Sequence, residues 1–184
     1  MILLRHGQSE FNAVFSLTRQ DPGIPDPRLT ETGRAQAAQA ARSLAAHKIS
    51  RIIVSPYTRA LQTAAIVAEI LDLPVSVVNA EVRERYAFVC DVGTPASQLA
   101  RAWPGLDFSH LAEQWWPAED EPTASVEARA RKFRAAMAAE PGWQQALVVS
   151  HWGFILSMTG ESVPNGAIRR CDPHAPHPEI SWQH

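Results

Sequence analysis

Short, mostly apolar runs alternate along the chain with longer stretches in which apolar residues return every three or four positions. Met1-Ile2-Leu3-Leu4, Arg51-Ile52-Ile53-Val54, Val75-Ser76-Val77-Val78 and Ala146-Leu147-Val148-Val149 are short and rich in β-branched or aliphatic residues, the pattern of strands buried on both faces. After the first strand and its loop, Thr30 is placed to cap a helix over 31–47, with Gly33 a minor weakness in its first turn. Ala35, Ala38, Ala41 and Ala45 gather on one side of that helix to allow close packing on a sheet, and Leu44 supplies its bulk. Thr58 to Leu71 reads as a second helix, which makes 51–78 a β-α-β unit. A third helix starts near Thr123 or Ser125 and brings Val126, Ala130, Phe133 and Met137 to one face. Strands that alternate with helices predict an α/β fold around a parallel sheet.

Residues from about 81 to 121 break this rhythm, with prolines at 95, 104 and 117 and tryptophans at 103, 115 and 116. They read as an insertion or lid over one edge of the sheet, its tryptophans forming either a wall above a substrate or a cover for the edge. Ala167 to Cys171 is a candidate edge strand that could pair with a second copy as a homodimer. The tail after about 172 is expected to be loose.

With 184 residues, 46% of them apolar and 20% charged, the chain reads as one domain over 1–184. A net charge of -2 and a pI near 6.4 offer no general attraction to nucleic acid or to an anionic membrane. No apolar run approaches the ~18 residues of a membrane span, and the start lacks the basic and apolar regions of a signal peptide, so a cytoplasmic location is expected. Cys90 and Cys171 lie far apart without CxxC spacing and read as idle thiols in a reducing compartment. Cys171-x-x-His174-x-x-His177 has the ligand types of a metal site but lacks a fourth ligand and lies in a proline-broken tail, so no metal is assigned to it.

The chemistry sits where the strands end. Arg5-His6-Gly7 follows the first strand, Ser55-Pro56-Tyr57-Thr58-Arg59-Ala60 the second, Glu84 the third, and His151-Trp152-Gly153 the fourth. A parallel sheet delivers all four to one crevice at its carboxyl edge. Two guanidinium forks, Arg5 and Arg59, with two imidazoles suit a transferring phosphoryl group, whose charge spreads over its equatorial oxygens, without a metal or other cofactor. An imidazole nitrogen is a competent nucleophile near neutral pH when an acceptor holds the other nitrogen. Gly7, lacking a Cβ, lets a backbone carbonyl come close enough to do so.

Leu4-Arg5-His6-Gly7-Gln8-Ser9-Glu10 with Asn12, Leu29-Thr30-x-x-Gly33-x-x-Gln36-Ala37, Ser55-Pro56 with Arg59-Ala60-x-x-Thr63-Ala64, Arg83-Glu84-Arg85, and Val149-Ser150-His151-x-Gly153 follow one another over residues 1 to about 155. In these segments and their order the chain resembles the histidine phosphatase superfamily, also called the phosphoglycerate mutase-like family. The resemblance implies a three-layer α/β/α sandwich with a mostly parallel central sheet. It implies that His6 is the nucleophile and becomes phosphohistidine, and that Arg5, Arg59 and His151 hold the phosphoryl oxygens. Asn12 would be a neutral donor and Gly153 part of the phosphate-binding set. Glu84 would protonate the leaving alkoxide and then activate water, with a nearby dianionic phosphate raising its pKa. Glu81 is the neighbouring alternative acid, Arg83 and Arg85 are potential ion-pair partners for Glu84, and Tyr86-Ala87-Phe88 departs from the glycine that the family often carries soon after this acid.

The same phosphohistidine step serves phosphatases and mutases, but a mutase must hold a second anionic group and so needs extra cations. Between Tyr86 and Pro122 the basic residues are Arg101 and His110, against Asp91, Asp107, Glu113, Glu119, Asp120 and Glu121. That balance favours a metal-independent phosphomonoesterase acting on a small phosphorylated metabolite with a neutral or aromatic body. The alternatives are phosphoglycerate mutase-type phosphotransfer, a protein phosphohistidine phosphatase, and a non-catalytic phosphate-binding module. The last would have lost His6, an arginine or His151, and all are present.

Overall fold

Five short strands form one sheet in the order β3-β2-β4-β1-β5 in the computed structural model, which describes residues 1–182. The strands are β1 (Ile2–Arg5), β2 (Arg51–Val54), β3 (Val75–Val78), β4 (Ala146–Ser150) and β5 (Ile168–Arg170). Six helices are interleaved with them: α1 (Glu10–Thr18), α2 (Glu31–Leu44), α3 (Thr58–Leu71), α4 (Ala96–Ala102), α5 (Thr123–Ala138) and α6 (Trp152–Thr159). All neighbouring strands run parallel except β5, which lies antiparallel against β1 as the edge strand that 167–171 predicted.

The apolar runs of β1, β2 and β4 follow from burial on both faces, whereas β3, expected to be buried likewise, lies at the edge with Ser76 and Val77 exposed. Ile2, Leu4, Ile52, Val54, Leu147 and Val149 pack with α2 and α3 on one side. Leu3, Ile53 and Val148 pack with α5 and α6 on the other, completing the three-layer α/β/α sandwich. No described helix is long and apolar enough to cross a membrane.

The alanine pattern of α2 placed its packed face only in part: Ala41 and Leu44 are buried as read and Ala38 is half-buried. Ala35 and Ala45 are exposed, and the buried stripe is Gly33, Ala37, Ala40, Ala41 and Leu44, with the helix ending at Leu44 rather than 47. A close backbone crossing decides this. A Cβ on Gly33 would lie 2.0 Å from the carbonyl oxygen of Gln8, and a Cβ on Gly7 would lie 2.1 Å from that of Gly33. The glycine read as a weakness is therefore what lets α2 dock on the loop behind β1.

Three helices went unpredicted: α1, α6 and, inside the 81–121 insertion, α4. The N-terminus of α1 is capped by Ser9, whose hydroxyl accepts the Asn12 N–H while the Asn12 side-chain oxygen accepts the Ser9 N–H. In α6, residues Gly153 to Met158 are all buried, so no amphipathic period marks it. The expected face of α5 is buried as read, but Arg129 and Arg134 are buried on it too.

Within 81–121, the tryptophans serve the sheet edge. Trp103, Trp115 and Trp116 join the cluster around α3 and β2, Trp115 packing edge-on against Tyr57. Nearby, the His110 Nε2–H donates to the Val78 carbonyl of the edge strand. The segment after 172, expected to be loose, has no regular secondary structure up to Trp182 but is tied down: Arg134 donates to the carbonyls of Asp172, Ala175 and Pro176. Cys171 is buried against Arg134 and His174 lies against Trp143, and the described residues hold no cluster of three or more His, Cys, Asp or Glu suited to a metal.

Candidate active site

Arg5, His6, Asn12, Arg59 and Glu84 line a single cavity of about 370 Å³ at the carboxyl edge of the sheet. His6 leaves the end of β1 with its N–H bonded to the Ser150 carbonyl of β4, which sets it beside the neighbouring strand's terminus. Its Nδ1 lies 2.6 Å from the Gly7 carbonyl, an acceptor only, so Nδ1 carries the proton and Nε2 keeps its lone pair. Burial first, then the Arg59 and Arg5 charges, hold the His6 pKa well below its ordinary value. The ring is a neutral base at physiological pH.

His151 is wholly buried, its ring centroid 5.0 Å from that of His6. Its Nε2 is 2.7 Å from the Ser55 hydroxyl, while its Nδ1 is buried with no protein partner. Burial, again reinforced by Arg59, keeps it uncharged. Arg5 donates to the Val163 carbonyl, and its buried Nε is likewise without a partner. Burial lowers the Arg5 pKa to about 10, which leaves it cationic. Orphaned buried N–H groups are costly and are kept where a ligand satisfies them. Asn12 adds a neutral amide: its oxygen is taken by Ser9 and by Asn165, which also bonds the His6 carbonyl, and its NH2 remains for the cavity.

Arg59 is held by a residue that the sequence presented only as one more acid. Its Nη2 pairs with Asp91 Oδ1 at 3.0 Å, its Nη1 donates to the Cys90 carbonyl, and its guanidinium lies 4.3 Å over the Tyr57 ring. The other Asp91 oxygen accepts the N–H groups of Ala87 and Phe88. Burial raises the Asp91 carboxyl above the ordinary carboxylate range, with Arg59 pulling the other way.

Glu84 Oε1 accepts the N–H groups of Arg85 and of Gly153 in the first turn of α6. A Cβ on Gly153 would fall 2.5 Å from that oxygen. The structure thus sets Gly153 against Glu84, with its N–H used there rather than on the cavity. Neither flanking arginine pairs with the Glu84 carboxylate: Arg83 bonds Glu121 Oε1 and Arg85 bonds the Glu121 carbonyl. Glu81 is engaged by Lys132 at the surface. The loop is shaped by Arg129, which grips the Glu121 carboxylate and donates to the carbonyls of Glu81, Arg83 and Glu84.

These pairings correct the charge argument made from the insertion. Asp91 and Glu121 are buried and neutralised by arginines, and Arg19 and Arg85, outside the span counted, also line the cavity. The acidic residues of 86–122 therefore do not define the field at the site.

A strand-end histidine with a free Nε2, ringed by buried guanidinium groups and unpaired donors, has the make-up that phosphoryl transfer needs. The model of the histidine phosphatase superfamily (branch 1) matches residues 1–174, and the chain belongs to that family. A glucosyl-3-phosphoglycerate phosphatase of Mycobacterium tuberculosis is 30% identical over 169 residues, covering 86% of this chain and 73% of the relative. A 2,3-bisphosphoglycerate-dependent phosphoglycerate mutase of a Methylobacterium species is 45% identical over 76 residues, which span 40% of this chain and 35% of the relative. Among solved structures, a mycobacterial glucosyl-3-phosphoglycerate phosphatase complexed with VO3 superposes with a TM-score of 0.63 at 25% identity, covering 91% of this chain and 88% of that one.

Proposed function

We propose that the cavity hydrolyses phosphomonoesters of small metabolites through a phosphohistidine on His6. The observation that carries this reading is the His6 tautomer, with Nδ1 committed to the Gly7 carbonyl and Nε2 left as the nucleophile. In the first half-reaction Nε2 attacks phosphorus and the ester P–O bond breaks, while Glu84 gives its proton to the leaving alkoxide. In the second, Glu84 takes a proton from water, the water oxygen attacks phosphorus, and the P–N bond breaks to release phosphate and neutral His6.

Arg5, Arg59 and the Asn12 amide hold the phosphoryl oxygens. His151 contributes an Nδ1–H when Ser55 donates its hydroxyl proton to Nε2, so the imidazole acts as a neutral donor. These groups meet the charge that a metal would otherwise meet. The mycobacterial phosphatase that matches most of the chain supports hydrolysis of a metabolite ester, whereas the mutases match a smaller part of it.

Phosphate release from a panel of phosphomonoesters, measured with a chelator present, tests the reading. His6→Ala is expected to lower release by at least about a thousandfold, as loss of a nucleophile does. It should also abolish the acid-labile phosphoenzyme expected on quenching wild type. Undiminished release by His6→Ala would overturn the proposal.

A further inference from the structure

Part of the cavity is not used by this chemistry. It is walled by Phe11, Phe15, Ala87 and Phe88, and its total volume falls in the range of pockets that hold a whole small molecule. Phe11 and Phe15 lie one helical turn apart on α1 and stack with centroids 5.0 Å apart, their planes 16° from parallel. Phe88, from the loop after Glu84, meets Phe11 at 5.4 Å and Phe15 at 5.2 Å. Phe11 is buried, whereas Phe15 and Phe88 are half-buried and leave ring surface to the cavity.

The Ala87–Phe88 part of this wall is tied to the phosphate site by one side chain, while Phe11 and Phe15 are carried by α1. Asp91 holds Arg59 with one carboxylate oxygen and the backbone of Ala87 and Phe88 with the other. Two cations flank the wall without a carboxylate partner among the described residues: Arg19 lies over the Phe15 ring at 5.7 Å, and Arg85 Nε donates to the Glu121 carbonyl. What the wall offers a ligand is flat apolar surface at a fixed offset from the phosphoryl site.

We infer that the alcohol half of the ester is aromatic, an aryl or arylmethyl phosphate whose ring lies against Phe15 and Phe88 while its phosphoryl group reaches His6. The inference rests on the phosphomonoesterase reading and adds its substrate class. A ring in this place gains area burial and ring-edge or offset contacts with both phenylalanines. A sugar or polyol would bring hydroxyls that this wall cannot hydrogen-bond, at a desolvation cost.

Phosphonates, in which carbon replaces the ester oxygen, bind without turning over. Calorimetric Kd values for benzylphosphonate, propylphosphonate and inorganic phosphate would be compared in wild type, Phe15→Ala and Phe88→Leu. Wild type is expected to prefer benzylphosphonate over propylphosphonate by about tenfold, and each variant to lose most of that ratio. An unchanged Kd for inorganic phosphate would show that the variants keep their fold and phosphate site. Equal affinity for the two phosphonates in wild type, or a preference that survives both substitutions, would overturn the inference. Because the ratio is read without catalysis, failure to release phosphate from esters would sink the hydrolase reading while the ratio still decides this one.

Discussion

His6 and His151 touch each other inside the protein, and their protonation is tied to folding. Both have pKa values held well below the ordinary imidazole value by burial and by nearby arginines. The unfolded chain takes up protons at these positions as pH falls through about 6.5, while the folded chain does not. Their contribution to stability is therefore fully present above that value and is lost progressively below it, with a slope of up to about 1.4 kcal/mol per pH unit for each ring. Urea denaturation between pH 7.5 and 5 is expected to show the midpoint falling, and the fall should be shallower in His151→Asn. A midpoint independent of pH would show that neither ring is held neutral. The residues proposed to carry the chemistry, Arg5, His6, Arg59, Glu84 and His151, were legible because they follow predicted strands, where an α/β fold gathers reactive side chains. Asp91 was not, since its type and its place in a proline-rich insertion match a solvated acid, and only the fold shows that it faces Arg59.

At the level of elements, the crossing of α2 over the loop behind β1 positions the strand end that carries His6. The Gly7 N–H donates to Thr63 of α3 and the Gln8 carbonyl accepts the Thr30 N–H, so α2, α3 and the His6 loop form one unit. Gly33→Ala would gain roughly 1 kcal/mol of helix propensity on local grounds. The new Cβ would sit 2.0 Å from the Gln8 oxygen, however, and forcing the helix away is expected to cost about 1–3 kcal/mol and to outweigh that gain. A lower urea midpoint together with a reduced rate of phosphate release is the expected result; a raised midpoint with full activity would show that the crossing yields freely. Helix propensity reads this glycine as a defect, and the alanines of α2 are too alike in hydropathy to say which side faces the sheet. On α5 a signal was present: Arg129 and Arg134 stand at helical spacing from Val126 and Ala130, inside the apolar stripe.

On the scale of the whole molecule, Arg134 joins the far end of the chain to the core. Its buried guanidinium donates to carbonyls of α6 and of the tail, at Met158, Asp172, Ala175 and Pro176. Beyond them the Trp182 indole donates to Glu127 and lies against Trp152, a cavity-lining residue. Arg134→Met would leave these carbonyls without their donor and is expected to lower stability by about 2–3 kcal/mol in urea denaturation. It should also expose the segment after 172 to proteolysis in the otherwise folded protein. Retained stability and protease resistance would mean that the tail holds itself. The sequence by itself determined the order of most strands and helices, the parallel α/β class and the arrival of arginine, histidine and glutamate at successive strand ends, because hydropathy period and residue type are local properties. Tertiary structure decided which face of α2 is buried, which acids are neutralised, where the tryptophans go and that three phenylalanines stand in the cavity of His6, because backbone crossings, counter-charges and ring contacts depend on residues distant in the chain.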